Sequence, residues 1–133
     1  MKKPVDIIHR FVDEFKNGGG SLAPLDELLD VSFVHHLPAP DLPPGIPGFK
    51  VIAGSIFAAF PDVHVTAEIV IAEGDLVTEH SVVRATHTGP FQGVAPTARR
   101  VVWTENNVYR IRDNKITEMW VCADLLGIMR QIG

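Results

Sequence analysis

The chain has 133 residues, 46% hydrophobic and 21% charged, with one Cys and a formal net charge of −4. This length suits a single domain over residues 1–133, with enough core to fold without staples, and one Cys excludes an internal disulfide and fits the reducing cytoplasm. The acidic balance argues against nucleic acid as a partner, no apolar run approaches the ~18 residues of a membrane span, and Met1-Lys2-Lys3-Pro4 followed by Asp6 and Arg10 does not read as a signal peptide.

Residues 4–17 predict an amphipathic helix. Val5, Ile8, Phe11, Val12 and Phe15 share a face, with Asp6, Arg10, Asp13 and Lys16 turned away, and Gly18-Gly19-Gly20 ends it. Ser21 is placed to cap a shorter helix carrying Leu22, Leu25, Leu28 and Leu29, with Pro24 in its first turn. Val31 to His36 reads as a short strand or extended segment. A stiff loop with Pro38, Pro40, Pro43, Pro44 and Pro47 follows, suited to a rim, a lid or a plain connection. A third helix is expected from Gly48 to Phe60, stopped by Pro61-Asp62.

The remainder predicts strands. Val63 to Ala72 and Asp75 to Thr88 flank a Glu73-Gly74 turn, and a loop runs to Ala98. Arg99 to Arg112 turns through Asp113-Asn114 into Lys115 to Ala123, and a short helix closes the chain. Helices first and an antiparallel meander after them imply an α+β fold, with the helices packed on one face of a strongly curved sheet.

Strand parity then selects polar residues for the inner face. In the strand from Arg99 the odd set holds Trp103 and Tyr109, which brings Glu105 and Asn107 inward. In the last strand, Trp120 and Cys122 are expected inward with Asp124 following them. A carboxylate against apolar walls is desolvated, which suits a general base or acid. The plainer roles are an N-cap for Asp124 and an arginine partner for Glu105, from Arg84, Arg100 or Arg110.

Among the six His, His9 reads as solvated and nothing distinguishes His64. Adjacent His35 and His36 point opposite ways in an extended segment, so one of them faces a pocket; His80 and His87 fall on opposite faces of a regular strand. No His pair has metal-ligand spacing, so no metal is expected. Cys122 reads as a small core residue rather than a nucleophile, and nucleophile-elbow, phosphate-loop and dinucleotide motifs are absent.

The segments Phe60-Pro61-Asp62, Glu73-Gly74-Asp75 and Thr86-His87-Thr88-Gly89-Pro90-Phe91-Gln92-Gly93, with Glu118-Met119-Trp120 and the closing Asp124-x-x-Gly127-x-x-x-Gln131-x-Gly133, resemble the SnoaL-like polyketide cyclases. These belong to the cone-shaped, nuclear-transport-factor-like fold that also hosts ketosteroid isomerases. The resemblance covers about residues 45 to 133. It implies a homodimer and a pocket between helices and sheet, with an intramolecular aldol closure that uses no cofactor. It assigns the acid/base role to Asp124, and it aligns a His of the family with Asn107 and an Asn or Asp with His35. Asn107 donates a hydrogen bond but transfers no proton at neutral pH, and Ala95 stands where a Pro is usual.

The expected activity is therefore cofactor-free acid/base chemistry on a small neutral organic substrate: an aldol-type or ester cyclase, an isomerase, or a related lyase or hydrolase. Asp124, His35 and Asn107 would be catalytic, and His36, His80, Trp103, Glu105, Tyr109 and Trp120 would bind substrate. Glu105 beside Asp124 would divide base and acid roles, as two carboxyls do in ketosteroid isomerase, a worked case of such a division. The same apolar pocket also suits a non-catalytic binding module, one whose Asp124 is fully occupied in capping, or a structural dimer filled by side chains.

Overall fold

The computed structural model describes residues 3–36 and 41–133, so Pro38 and Pro40 of the proline-rich loop lie outside the described residues. Helix α1 (Pro4–Arg10) runs directly into a π-helical stretch, Phe11–Lys16. Next come α2 (Pro24–Leu28), β1 (Leu29–His35), α3 (Ile46–Ala59), β2 (His64–Glu73), β3 (Leu76–Thr86), β4 (Arg100–Arg112), β5 (Lys115–Ala123) and α4 (Leu125–Ile132). Ser21 lies ahead of α2 rather than at its cap, where its hydroxyl accepts from the Ala23 N–H at 3.3 Å.

The five strands form one sheet in the order β1-β5-β4-β3-β2. The expected α+β class holds, but the sheet is mixed, because β1 runs parallel to β5 while the later pairs are antiparallel. The hairpin between β4 and β5 turns on Asp113 (φ 51°) and Asn114 (φ 63°), two residue types that tolerate the left-handed region a two-residue turn needs. The core lies between helices and sheet. Ile7, Ile8, Phe11 and Leu25 pack on Val77, Tyr109 and Ile116, while Phe60 and Ile128 pack around Trp103.

Two carboxamides close the ends of the sheet. Asn17, just past the π-helical stretch, donates to Val65 O (2.8 Å) and accepts from Val65 N (2.7 Å). Gln131 of α4 does the same for Val102, donating to its O (2.8 Å) and accepting from its N (3.0 Å). Each satisfies backbone groups that a neighbouring strand would otherwise pair.

Two local irregularities change which side chains reach the interior. In the π-helical stretch Asn17 N bonds Val12 O (2.9 Å), five residues back. The wider turn stacks residue i+5 over residue i, which brings Lys16 over the Phe11 ring at 5.6 Å and turns inward a side chain expected outside. In β5, Ile116 pairs with Ile111 but Glu118 pairs with Arg110, so Thr117 is an extra residue, a β-bulge. Past the bulge the inner face passes to the odd residues. Met119 is buried, whereas Trp120, expected inside, stacks on His36 at the outer face, and Cys122, also expected inside, is exposed although it is among the residues around the cavity. Cys122 is exposed and is not a core residue.

Candidate active site

A cavity of about 750 Å³ lies between α3, the π-helical stretch and the inner face of the sheet. Its wall is mainly apolar, with the rings of Phe15, Phe49, Phe57, Phe60, Phe91 and Trp103 among aliphatic side chains. Polar side chains break that wall: Lys16, His35 and Glu105, with Ser55, Gln92 and Cys122. Glu105 is the one carboxylate among the lining residues.

Glu105 comes from the regular part of β4, where the odd residues face in as parity predicts. The expected arginine partner is not there. Glu105 instead accepts the Trp103 indole N–H at 2.9 Å and the Asn107 amide N–H at 3.2 Å. These neighbours on the same face hold one bond to each carboxylate oxygen, so each oxygen keeps accepting capacity, and Glu105 is among the residues lining the cavity. Asn107 is fully buried, and its Oδ1 has no partner among the described residues.

Lys16 belongs to a buried cluster beneath the cavity. Its ammonium donates to Glu79 Oε1 (3.0 Å), Glu79 Oε2 (3.1 Å) and Tyr109 OH (3.0 Å). The Tyr109 hydroxyl donates to Glu79 Oε1 at 2.5 Å, and the Ser81 hydroxyl donates to Glu79 Oε2. Burial alone would pull the Lys16 ammonium down, but Tyr109, Glu79 and Glu105 outweigh it and hold the group above the ordinary lysine value. Burial alone would likewise raise Glu79, and Lys16, Ser81 and Tyr109 together hold its carboxyl below the ordinary range. Burial pushes the Tyr109 phenol up, so it stays a neutral donor. Reading the sequence missed Lys16, Glu79 and Ser81. Parity in β3 could have found the last two, because Val77, Glu79, Ser81 and Val83 share its apolar face.

Of the adjacent histidines, His35 is the one that faces the cavity, packed against Phe33 and Phe49. Burial, with a smaller contribution from His36, lowers its pKa and favours neutral imidazole. Its Nε2 is buried with no partner among the described residues. His36 lies on the outer face, stacked on Trp120 (centroids 4.6 Å apart, rings 8° from parallel) and bonded to Glu118 at 2.9 Å. His80 is also on the outer face, bonded to Asn106 at 2.7 Å. Thus His36, His80 and Trp120 do not meet the cavity, whereas His35, Trp103 and Glu105 line it and Asn107 and Tyr109 lie behind them.

Asp124 does not line the cavity, although Ala123 and Leu125 on either side do. The bulge at Thr117 moved the inner set to odd numbers, so an inward path for Asp124 through Trp120 and Cys122 is lost. Its exposed side chain instead caps α4, accepting the Gly127 N–H at 2.9 Å. A Cβ on Gly127 would collide with that carboxylate. Together with Gln131 on Val102, this gives the closing Asp-x-x-Gly-x-x-x-Gln motif a structural meaning: it caps the last helix and ties it to β4.

The described residues bring no three His, Cys, Asp or Glu side chains together as a metal site, and no described helix is long and apolar enough to cross a membrane.

The family model for SnoaL-like polyketide cyclases matches residues 6–132. Among solved structures, IdmH of Streptomyces antibioticus, described as a "putative polyketide cyclase", is 34% identical with a TM-score of 0.85, covering 99% of each chain. A SnoaL-like polyketide cyclase from Jannaschia sp., its assignment also "putative", is 27% identical with a TM-score of 0.83, covering 97% of this chain and 90% of that one. AclR of Streptomyces galilaeus, described as a "putative hydroxylase", is 25% identical with a TM-score of 0.85, covering 98% and 84%. Comparison with curated proteins gave no match. With the match running through helices, sheet and cavity alike, the chain belongs to the SnoaL-like polyketide cyclase family.

Proposed function

We propose that this protein is an acid/base enzyme that needs no cofactor, with Glu105 as its base. The observation that carries the reading is a carboxylate fixed by two N–H donors on the wall of an otherwise apolar cavity. Such a group removes a proton from a carbon acid held against it, a contribution on the order of 10²–10⁴-fold. Neutral His35, as its Nε2–H tautomer, donates to an oxygen where negative charge gathers. Asn107 and Trp103 position the base, and Asp124 remains a helix cap.

The pairing register separates these two groups. His35 lies level with Met119 and Tyr109, whereas Glu105 lies level with Ala123. The Cα atoms are therefore about 13 Å apart along the strands and about 10 Å apart across two strand spacings. That separation suits a substrate with two reacting positions, as in an aldol-type ring closure. Glu105 would generate the carbon nucleophile, and His35 would polarise the carbonyl that receives it.

A binding module without chemistry is the second reading, favoured by the commitment of Asp124 to capping. The expected homodimer also stays a proposal. A second copy would cover Ile69, Ile71 and Val102, exposed on the outer face of the sheet, and sedimentation of the purified chain tests it.

The catalytic reading is tested by deuterium exchange into 4-phenylbutan-2-one, followed by NMR. The wild type accelerates exchange next to the carbonyl, and Glu105→Gln loses the acceleration. Equal exchange in both proteins would reject Glu105 as base.

A further inference from the structure

Glu105 faces the cavity with no cation in hydrogen-bond contact, and Lys16 acts on it only through space. Both donors it accepts, Trp103 and Asn107, are neutral, and it forms no ion pair among the described residues. Lys16, the one ammonium on the wall, has its three hydrogens directed to the two oxygens of Glu79 and to Tyr109. The Lys16–Glu79 pair is self-compensating, and the formal charge of Lys16, Glu79 and Glu105 together is −1. His35 does not balance it, because burial favours the neutral ring. The same cavity is walled by Trp103, Phe57, Phe60 and Phe91, whose ring faces attract cations.

We infer that the ligand of this cavity is an amphipathic amine: an apolar body carrying a cationic nitrogen that seats against Glu105. This rests on the cavity at Glu105 being the working site, and it replaces the wholly neutral substrate expected from the sequence. An apolar wall takes the body, and the nitrogen supplies the charge that the protein leaves out. A charged N–H on a carboxylate is the strong class of hydrogen bond.

Three probes with one body and three head groups test the inference: 4-phenylbutylammonium, 4-phenylbutanol and 4-phenylbutanoate. Calorimetric titration at neutral pH, with wild type and Glu105→Gln, reads the affinities. The wild type should bind the ammonium at least about tenfold more tightly than the alcohol, as expected for a hydrogen bond to a charged group. The carboxylate should bind most weakly. Glu105→Gln should bring ammonium and alcohol within about twofold, and a wild-type circular dichroism spectrum and thermal melt of the variant show that the fold is intact. Equal binding of ammonium and alcohol by the wild type, or a preference that survives Glu105→Gln, overturns the inference and leaves the base role of Glu105 standing. Failure of all three probes to bind overturns both.

Discussion

Replacing Lys16 with Met keeps the length and apolar stem of the side chain but removes the ammonium from Glu79. Glu79 is fully buried, and Lys16 is 11% exposed. The variant thus leaves a carboxylate away from water with only the Tyr109 and Ser81 hydroxyls as donors. Breaking one partner of a buried pair costs about 3–5 kcal/mol. For a domain between the 100- and 150-residue classes, about 4 °C per kcal/mol gives a fall in Tm of about 12–20 °C. The penalty depends on pH in a defined direction. In the wild type Glu79 is depressed by its partners, so its contribution is complete above the unfolded carboxyl range and fades as pH falls through the lower folded value. In Lys16→Met the carboxyl has lost its cation and protonates more readily. The gap between variant and wild type therefore narrows on going from pH 7 to pH 5. Thermal melts followed by circular dichroism, with Lys16→Met/Glu79→Gln alongside, check this. The double variant should recover more than half of the loss. A Lys16→Met melt within about 3 °C of wild type, or a double variant no better than the single, would refute the cluster as an electrostatic unit.

Other consequences concern the cap, the edge clamp and the buried histidine. Asp124→Ala should cost about 1 kcal/mol of stability in urea titration, the usual value of an N-cap, whereas Asp124→Asn, also a capping residue, should cost little. Gln131→Leu removes both bonds to Val102, so the Val102 amide should lose hydrogen-exchange protection while the centre of β4, around Tyr109, keeps it. His35 has a lowered folded-state pKa, so the unfolded chain binds its proton first and acid destabilises the fold as pH drops below about 6.5. An NMR titration should place the His35 midpoint below the ordinary histidine value, and His35→Phe should flatten that acid limb.

The parts of this molecule that follow simple periodicity were legible in the sequence, and the parts that hinge on one added residue were not. β4 pairs with β3 without interruption, so alternation from Val101 to Ile111 placed Trp103, Glu105, Asn107 and Tyr109 correctly. One extra residue at Thr117 reversed the same reasoning in β5, and Trp120, Cys122 and Asp124 went with it. The π-helical turn did the equivalent to Lys16, since a 3.6-residue period turns it toward solvent and a wider turn does not. The order of several segments, the closing motif among them, identified the family, yet the Asp of that motif is built into a helix cap, and the carboxylate on the cavity wall comes from a different strand.

The central claim is that Glu105, and not Asp124, is the base. It is tested most directly by measuring deuterium exchange into 4-phenylbutan-2-one with Glu105→Gln and Asp124→Asn side by side, both checked for intact folding. The account predicts that Asp124→Asn exchanges at the wild-type rate and that Glu105→Gln is at least about 100-fold slower. Full exchange by Glu105→Gln with loss in Asp124→Asn would contradict it.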